Sequence, residues 1–129
     1  MPKTTQPASV KTLRRDARKH MELGAVTQDY CADRDAVIGQ LNEALATELV
    51  CVLRYRRHHF MARGIHARGI TAEFLAHSNE ELAHADMLAA RIVQLGGEPD
   101  FEPAGLAARS HAEYVAGTHL RDMIHENLV

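Results

Sequence analysis

Between residues 38 and 59, Ile38, Leu41, Leu45, Glu48, Val52, Tyr55 and His59 recur at intervals of 3, 4, 3, 4, 3 and 4, the spacing of a helix face packed in a bundle. A second stripe, Ile70, Phe74, His77, Glu81, His84 and Leu88, repeats the pattern at 4, 3, 4, 3 and 4. The stripes predict two long helices. The first starts at Asp33 to Asp35, either of which can cap it, and runs to Met61 or Arg63 before Gly64. The second follows a turn over GIHARGI, residues 64–70, and runs to Leu95, stopped by Gly96, Gly97 and Pro99. Proline occurs only at positions 2, 7, 99 and 103, so nothing interrupts a helix between residues 8 and 98. The two helices are expected to form an antiparallel hairpin.

A shorter helix is predicted over residues 9–22, ending before Gly24, and a last one within THLRDMIHENLV, where Leu120, Ile124 and Leu128 form a stripe. The stretch EPDFEPAGLAARSHAEYVAG has mixed polarity and separates the hairpin from that last helix. A structureless segment so long suits a crossover that travels the length of a bundle, so that the next helix runs parallel to the one before it. The fold class is all-α. Residues 1–30 form a basic arm with a short helix, and residues 31–129 form the helical domain.

Composition narrows the reading. With 129 residues and 46% hydrophobic content, one core suffices. The longest uninterrupted apolar run, Leu49 to Leu53, falls well short of a bilayer span, and the N-terminus has no signal-peptide core. A cytoplasmic protein with no membrane partner is expected. The first 20 residues carry a charge of +5 and the remainder −7, giving −2 overall. A solvated leader is the simplest reading of that arm; contact with nucleic acid or another polyanion, or an organelle transit peptide, are the alternatives. Cys31 and Cys51 are the only cysteines; placed along one helix they would stand about 30 Å apart, too far for a disulfide. No nucleophile triad, phosphate-binding glycine loop or zinc-finger spacing occurs.

The charged members of the two stripes carry the chemistry. Glu48 lies about 15 residues before the turn, and Glu81 and His84 about 11 and 14 after it, so all three fall within about one helical turn of a common level. Burying an unpaired carboxylate costs several kcal/mol, and a cation is the natural compensation. Carboxylate oxygen with imidazole nitrogen suits iron, manganese or zinc, and Glu-x-x-His on one helix with a Glu from its neighbour is half of a dinuclear carboxylate site.

These residues resemble the ferritin-like superfamily, most closely its bacterioferritin branch, from Ala36 to the end of the chain; LNEALATELVCVLRY (residues 41–55), NEELAHADML and LGGEPD carry the likeness. The resemblance implies a ferritin-like hairpin with a partial third bundle helix. Glu48 would be a terminal ligand, Glu81 a bridging carboxylate and His84 a terminal imidazole, with Tyr55 hydrogen-bonding near the site. The implied activity is oxidation of ferrous iron by O2 or H2O2 at paired ions, with storage of the mineral in cage-forming members. Leu82 stands where bacterioferritins carry the haem-ligating methionine, so no haem is expected. By the same likeness Val129 precedes the third-helix glutamate, so half of the site is present: the chain is a piece of a longer ferritin, or it rebuilds the site by self-association about a twofold axis, or it holds a degenerate site without turnover, self-association being expected in any event; Glu126, off the last apolar stripe, is no replacement.

Other residues are read more plainly. His77 and His59 are taken as hydrogen-bonded inward histidines rather than ligands, RYRRHH (residues 54–59) as a solvated flank with one inward edge, and Glu73 and Glu80 as surface charges. Met61, Met87 and Met123 are read as packing or surface residues. Two rival functions remain. A metal-free helical interaction module predicts that Glu48→Ala and Glu81→Ala leave assembly intact or strengthen it. A polyanion- or DNA-binding protein predicts salt-sensitive retention that is lost when residues 1–20 are deleted.

Overall fold

A computed structural model describes residues 9–23 and 33–129. Five helices occur in this order: α1 (Val10–Leu23), α2 (Arg34–Met61), α3 (Ala67–Gln94), α4 (Leu106–Arg109) and α5 (Leu120–Glu126). No strand occurs among the described residues. The chain divides into two compact units, Met1–Ala32 and Asp33–Val129. Cys31 and the expected boundary near residue 30 lie outside the described residues.

In the first unit, Ser9 caps α1 by accepting a 3.3 Å hydrogen bond from the Thr12 backbone N–H. Lys11, Arg14, Arg15, Arg18 and Lys19 fall at helical spacing on one face.

In the second unit, the Asp33 side chain accepts the Ala36 N–H and so starts α2. The helix ends at Met61, and α3 begins at Ala67, inside the stretch predicted to be a turn. Gly64 (φ 115°) turns the chain, and the Ala67 N–H then finds the Gly64 carbonyl, so the new helix takes hold earlier than its glycines suggest. Gly96 (φ 81°) closes α3 by donating to Val93 O.

The hairpin core is Leu45, Ala85 and Ile92, with Ile38, Leu41, Leu49 and Leu88 packed around it. On α3 the buried positions are Ala67, Phe74, Ser78, Ala85 and Ile92, so the packed stripe sits one residue away from the predicted His77 and His84. Small residues decide this register. Ala85 lets the helices approach, and the Ser78 hydroxyl donates to the Val52 carbonyl at 2.9 Å. Both histidines are thereby turned to the rim of the seam.

The crossover climbs α2. Asn42 binds the Glu98 carbonyl and the Asp100 N–H, the His111 N–H donates to Thr47, Arg54 donates to the Glu113 carbonyl, and His58 meets the Val115 carbonyl. From Asn42 to His58 this is about 24 Å of helix, so α5 begins near the hairpin turn, as a parallel continuation requires. A second face of α2, with Ala46, Val50, Arg54 and His58 buried, thus lies under the crossover. Within the Arg54–His59 run the inward edge is Arg54 and His58, 7% and 0% exposed, while Arg57 stays exposed. α2 also holds an 18-residue window of mean hydropathy 1.4, long and apolar enough by composition for a bilayer, of which 22% is buried here.

Asn127 fastens the end of the chain. Its side-chain oxygen accepts from Arg54 Nε at 3.0 Å, and its amide donates to His58 Nδ1 at 2.8 Å. The other ring nitrogen, Nε2, then donates to Val115 O at 2.8 Å, which defines a neutral imidazole. Burial pulls the His58 pKa below the usual histidine value. Met123, 2% exposed, anchors α5, whereas Leu128 of the predicted stripe is 81% exposed.

Candidate metal centre

Glu48 comes from the middle of α2, and Glu81 and His84 from one turn of α3. One ligand atom from each lies within 4.8 Å of the others. His84 Nδ1 is 3.1 Å from Glu81 Oε2 and 3.6 Å from Glu48 Oε2. The carboxylate side chains are 23% and 25% exposed and the imidazole 56%. The trio therefore forms a shallow site at the rim of the seam rather than a sealed one within it.

Glu48 Oε2 is shielded from solvent and has no hydrogen-bond partner. Such an atom is costly unless it is protonated or bound to a cation. The protein without metal meets the cost by protonation: burial first, then the neighbouring Glu81 carboxylate, raises the Glu48 pKa to about 7, against the pull of His84. The hydrogen bond to Glu81 raises the pKa of His84 as well, opposed by desolvation and helped by the Glu48 charge. Both shifts favour held protons, and a cation of charge +2 would displace them. Two carboxylates and one imidazole suit a first-row transition metal in chemistry and in number.

Tyr55 lies two turns beyond Glu48 on α2. Its ring stacks on His77 at 5.4 Å and its hydroxyl is 3.5 Å from Asn127 O. Burial, then the Glu81 charge, pushes the phenol pKa up, so it keeps its proton. His77 does not face inward: its side chain is 48% exposed and Nδ1 lies 3.2 Å from Glu80 Oε2. His59 Nδ1 meets the Thr71 carbonyl. Cys51 is a free thiol, and burial raises its pKa. Three residues that make long-range hydrogen bonds were not singled out from the sequence: Glu43 and His111, paired with each other, and Asn127. Each meets its partner across 68 or more residues, or across a loop, where helical periodicity gives no signal.

A helical hairpin that brings Glu from one rod to Glu-x-x-His on the next defines a ferritin-like protein. The ferritin-like domain model matches residues 38–129, and the chain belongs to that family. Among curated proteins none matches the sequence. Among solved structures, a dodecameric thioferritin, the bacterioferritin-related protein from Bacteroides fragilis, superimposes with a TM-score of 0.72 at 24% identity over 88% of this chain and 65% of that one. Dps from Thermosynechococcus elongatus gives 0.68 at 27% over 71% and 59%, and Dps from Staphylococcus aureus 0.66 at 25% over 70% and 61%. This chain therefore spans less than two thirds of the length of each of these structures, and the first likeness is one of fold alone.

Proposed function

We propose that the chain is an iron-binding protein in which Glu48, Glu81 and His84 hold ferrous ions for oxidation by O2 or H2O2, leading to iron storage or detoxification. The observation that carries the reading is Glu48 Oε2, shielded and unpartnered beside Glu81 and His84. Bound iron would supply the electrons that reduce the oxidant. The residues of this chain do the rest. Glu48 and Glu81 bring two negative charges to the cation, and His84 offers Nδ1 once it releases its proton. By the ferritin-like resemblance Glu81 would be shared between two ions, and Glu48 and His84 would each hold one. Tyr55, which keeps its proton and donates to Asn127 O two turns from Glu48, is assigned a supporting role on the same helix.

One chain brings together three ligand residues, half of a four-carboxylate, two-histidine set. The second half would come from a further pair of helices, of the same polypeptide or of another copy across a twofold axis. A homo-oligomer in the cytoplasm, like the dodecamer of the thioferritin, follows from the same reading. The test is to load the protein anaerobically with ferrous iron, measure iron per chain, and follow oxidation on admitting O2 or H2O2, for the parent and for Glu81→Ala. Loss of bound iron and of oxidation in the variant supports the assignment; equal stoichiometry and rate in both overturns it.

A second reading has its own observation, the five basic side chains on one face of α1. Such a face suits phosphate backbones, and it predicts DNA retention that falls steeply with salt and disappears on removal of residues 1–20.

A further inference from the structure

α1 carries two opposed faces. At about 100° per residue, Lys11, Arg14, Arg15, Arg18 and Lys19 fall within an arc of roughly 140°. Positions 10, 13, 17 and 21, which are Val, Leu, Ala and Met, fall within an arc of roughly 80° whose centre lies about 125° away. Val10 is 62% and Leu13 57% exposed, and Ala17 is exposed as well. Asp16 is the one acid between Val10 and Lys19, and it meets Arg15 Nε at 3.5 Å on the flank between the two arcs.

Nucleic acid accounts for the charge and not for the apolar stripe. Phosphate backbones are met by the basic arc alone, which leaves Val10 and Leu13 in water. A lipid surface uses both faces. Its boundary between headgroups and acyl chains takes the apolar arc, while the long stems of Lys and Arg flank that arc and carry their charges back to the phosphates. Five cations against one acid match a negatively charged surface, whose potential a zwitterionic one lacks.

We propose that α1 is an interfacial anchor that lays this protein on anionic phospholipid bilayers, with Val10, Leu13 and Ala17 inserted and the basic arc on the headgroup phosphates. The helix lies on the bilayer and spans nothing, since its 14 residues reach about 21 Å against a hydrocarbon core of about 30 Å. Part of the attraction is electrostatic, so binding is reversible and weakens with salt. No residue of the hairpin takes part, and the anchor stands apart from the metal-binding reading.

The test is flotation of the full chain, in chelator, with vesicles of phosphatidylcholine alone or of equimolar phosphatidylcholine and phosphatidylglycerol. The parent floats with the anionic vesicles and not with the zwitterionic ones. Leu13→Gln, which leaves every charge in place, weakens flotation about tenfold and leaves retention on duplex DNA unchanged. Arg14→Gln combined with Arg18→Gln weakens flotation about thirtyfold. The chain contains no tryptophan, so Leu13→Trp supplies a single reporter in the apolar arc. Its emission shifts to the blue with anionic vesicles and is quenched by brominated acyl chains, whereas DNA leaves it unshifted. Flotation of Leu13→Gln equal to that of the parent, or a reporter that brominated chains do not quench, overturns the anchor. DNA retention without flotation also overturns it and leaves nucleic acid as the partner of the basic arc.

Discussion

Replacing Glu48 by glutamine is expected to make the metal-free protein more stable above neutral pH. In the folded protein the Glu48 carboxyl titrates at about 7, against 4.5 for the free group. The folded state thus holds a proton that the unfolded chain releases between those values. The penalty is absent below the unfolded value, grows through the window from 4.5 to about 7, and is fully present above it. At about 1.4 kcal/mol per pH unit the whole window amounts to about 3 kcal/mol. A quarter of the side chain is open to solvent, which screens the effect to roughly half, about 1–2 kcal/mol. Glutamine stays neutral throughout, so urea unfolding in the presence of chelator should give equal midpoints for parent and variant near pH 4.5 and a more stable variant by that amount at pH 8. With saturating divalent metal the order should reverse, because only the parent gains the full binding energy. A variant less stable than the parent at pH 8 without metal would refute the reasoning, since it would mean that the ionised carboxylate already has a favourable partner in the protein.

Four further outcomes follow. Metal uptake should release protons and weaken as pH falls below 7, because the raised pKa values of Glu48 and His84 set protons against the metal; pH-stat titration in weak buffer measures it. His58, whose pKa is lowered, should cost the fold its C-terminal clasp as pH falls below 6.5, the stability being present above that value and lost towards the lower folded pKa; hydrogen exchange over residues 112–129 should accelerate there, and not in His58→Leu. Leu45→Ala, at a fully buried core position, should cost about 2–5 kcal/mol in urea unfolding. Gly117→Ala should destabilise the tail by about 1–3 kcal/mol, read as loss of exchange protection around α5, because φ is 71° and a Cβ would meet Met123 Cγ at 2.8 Å.

The hairpin was legible because its signals are local. The 3–4 spacing of Leu45, Val52, Phe74 and Leu88 is fixed by helix geometry, and Asp33 and Gly96 mark ends through hydrogen bonds within a few residues. The crossover was legible from its length alone, since a parallel return needs about that much chain. The register of α3 was harder. Counting apolar and ionisable residues together put His77 and His84 in the packed stripe, yet Ser78 and Ala85 fill it, because small side chains bring the helices close and a serine hydroxyl finds a carbonyl there. The meeting of Glu48 with Glu81 and His84 was still foreseeable, since level along the rods depends on residue count and not on that register. Which residues of the Arg54–His59 run form its inward edge was not legible, because what buries Arg54 and His58 is the tail and crossover, through Asn127, Glu113 and Val115. No pattern within α2 reports a partner that arrives 57 to 73 residues later.

The most direct measurement of the central claim is an anomalous-scattering map from crystals of the full chain grown without metal and soaked in Mn2+ or ferrous iron. The account predicts a peak about 2 Å from a carboxylate oxygen of Glu48, a carboxylate oxygen of Glu81 and Nδ1 of His84, absent in Glu81→Ala. A map with these three side chains ordered and metal bound only elsewhere would contradict it.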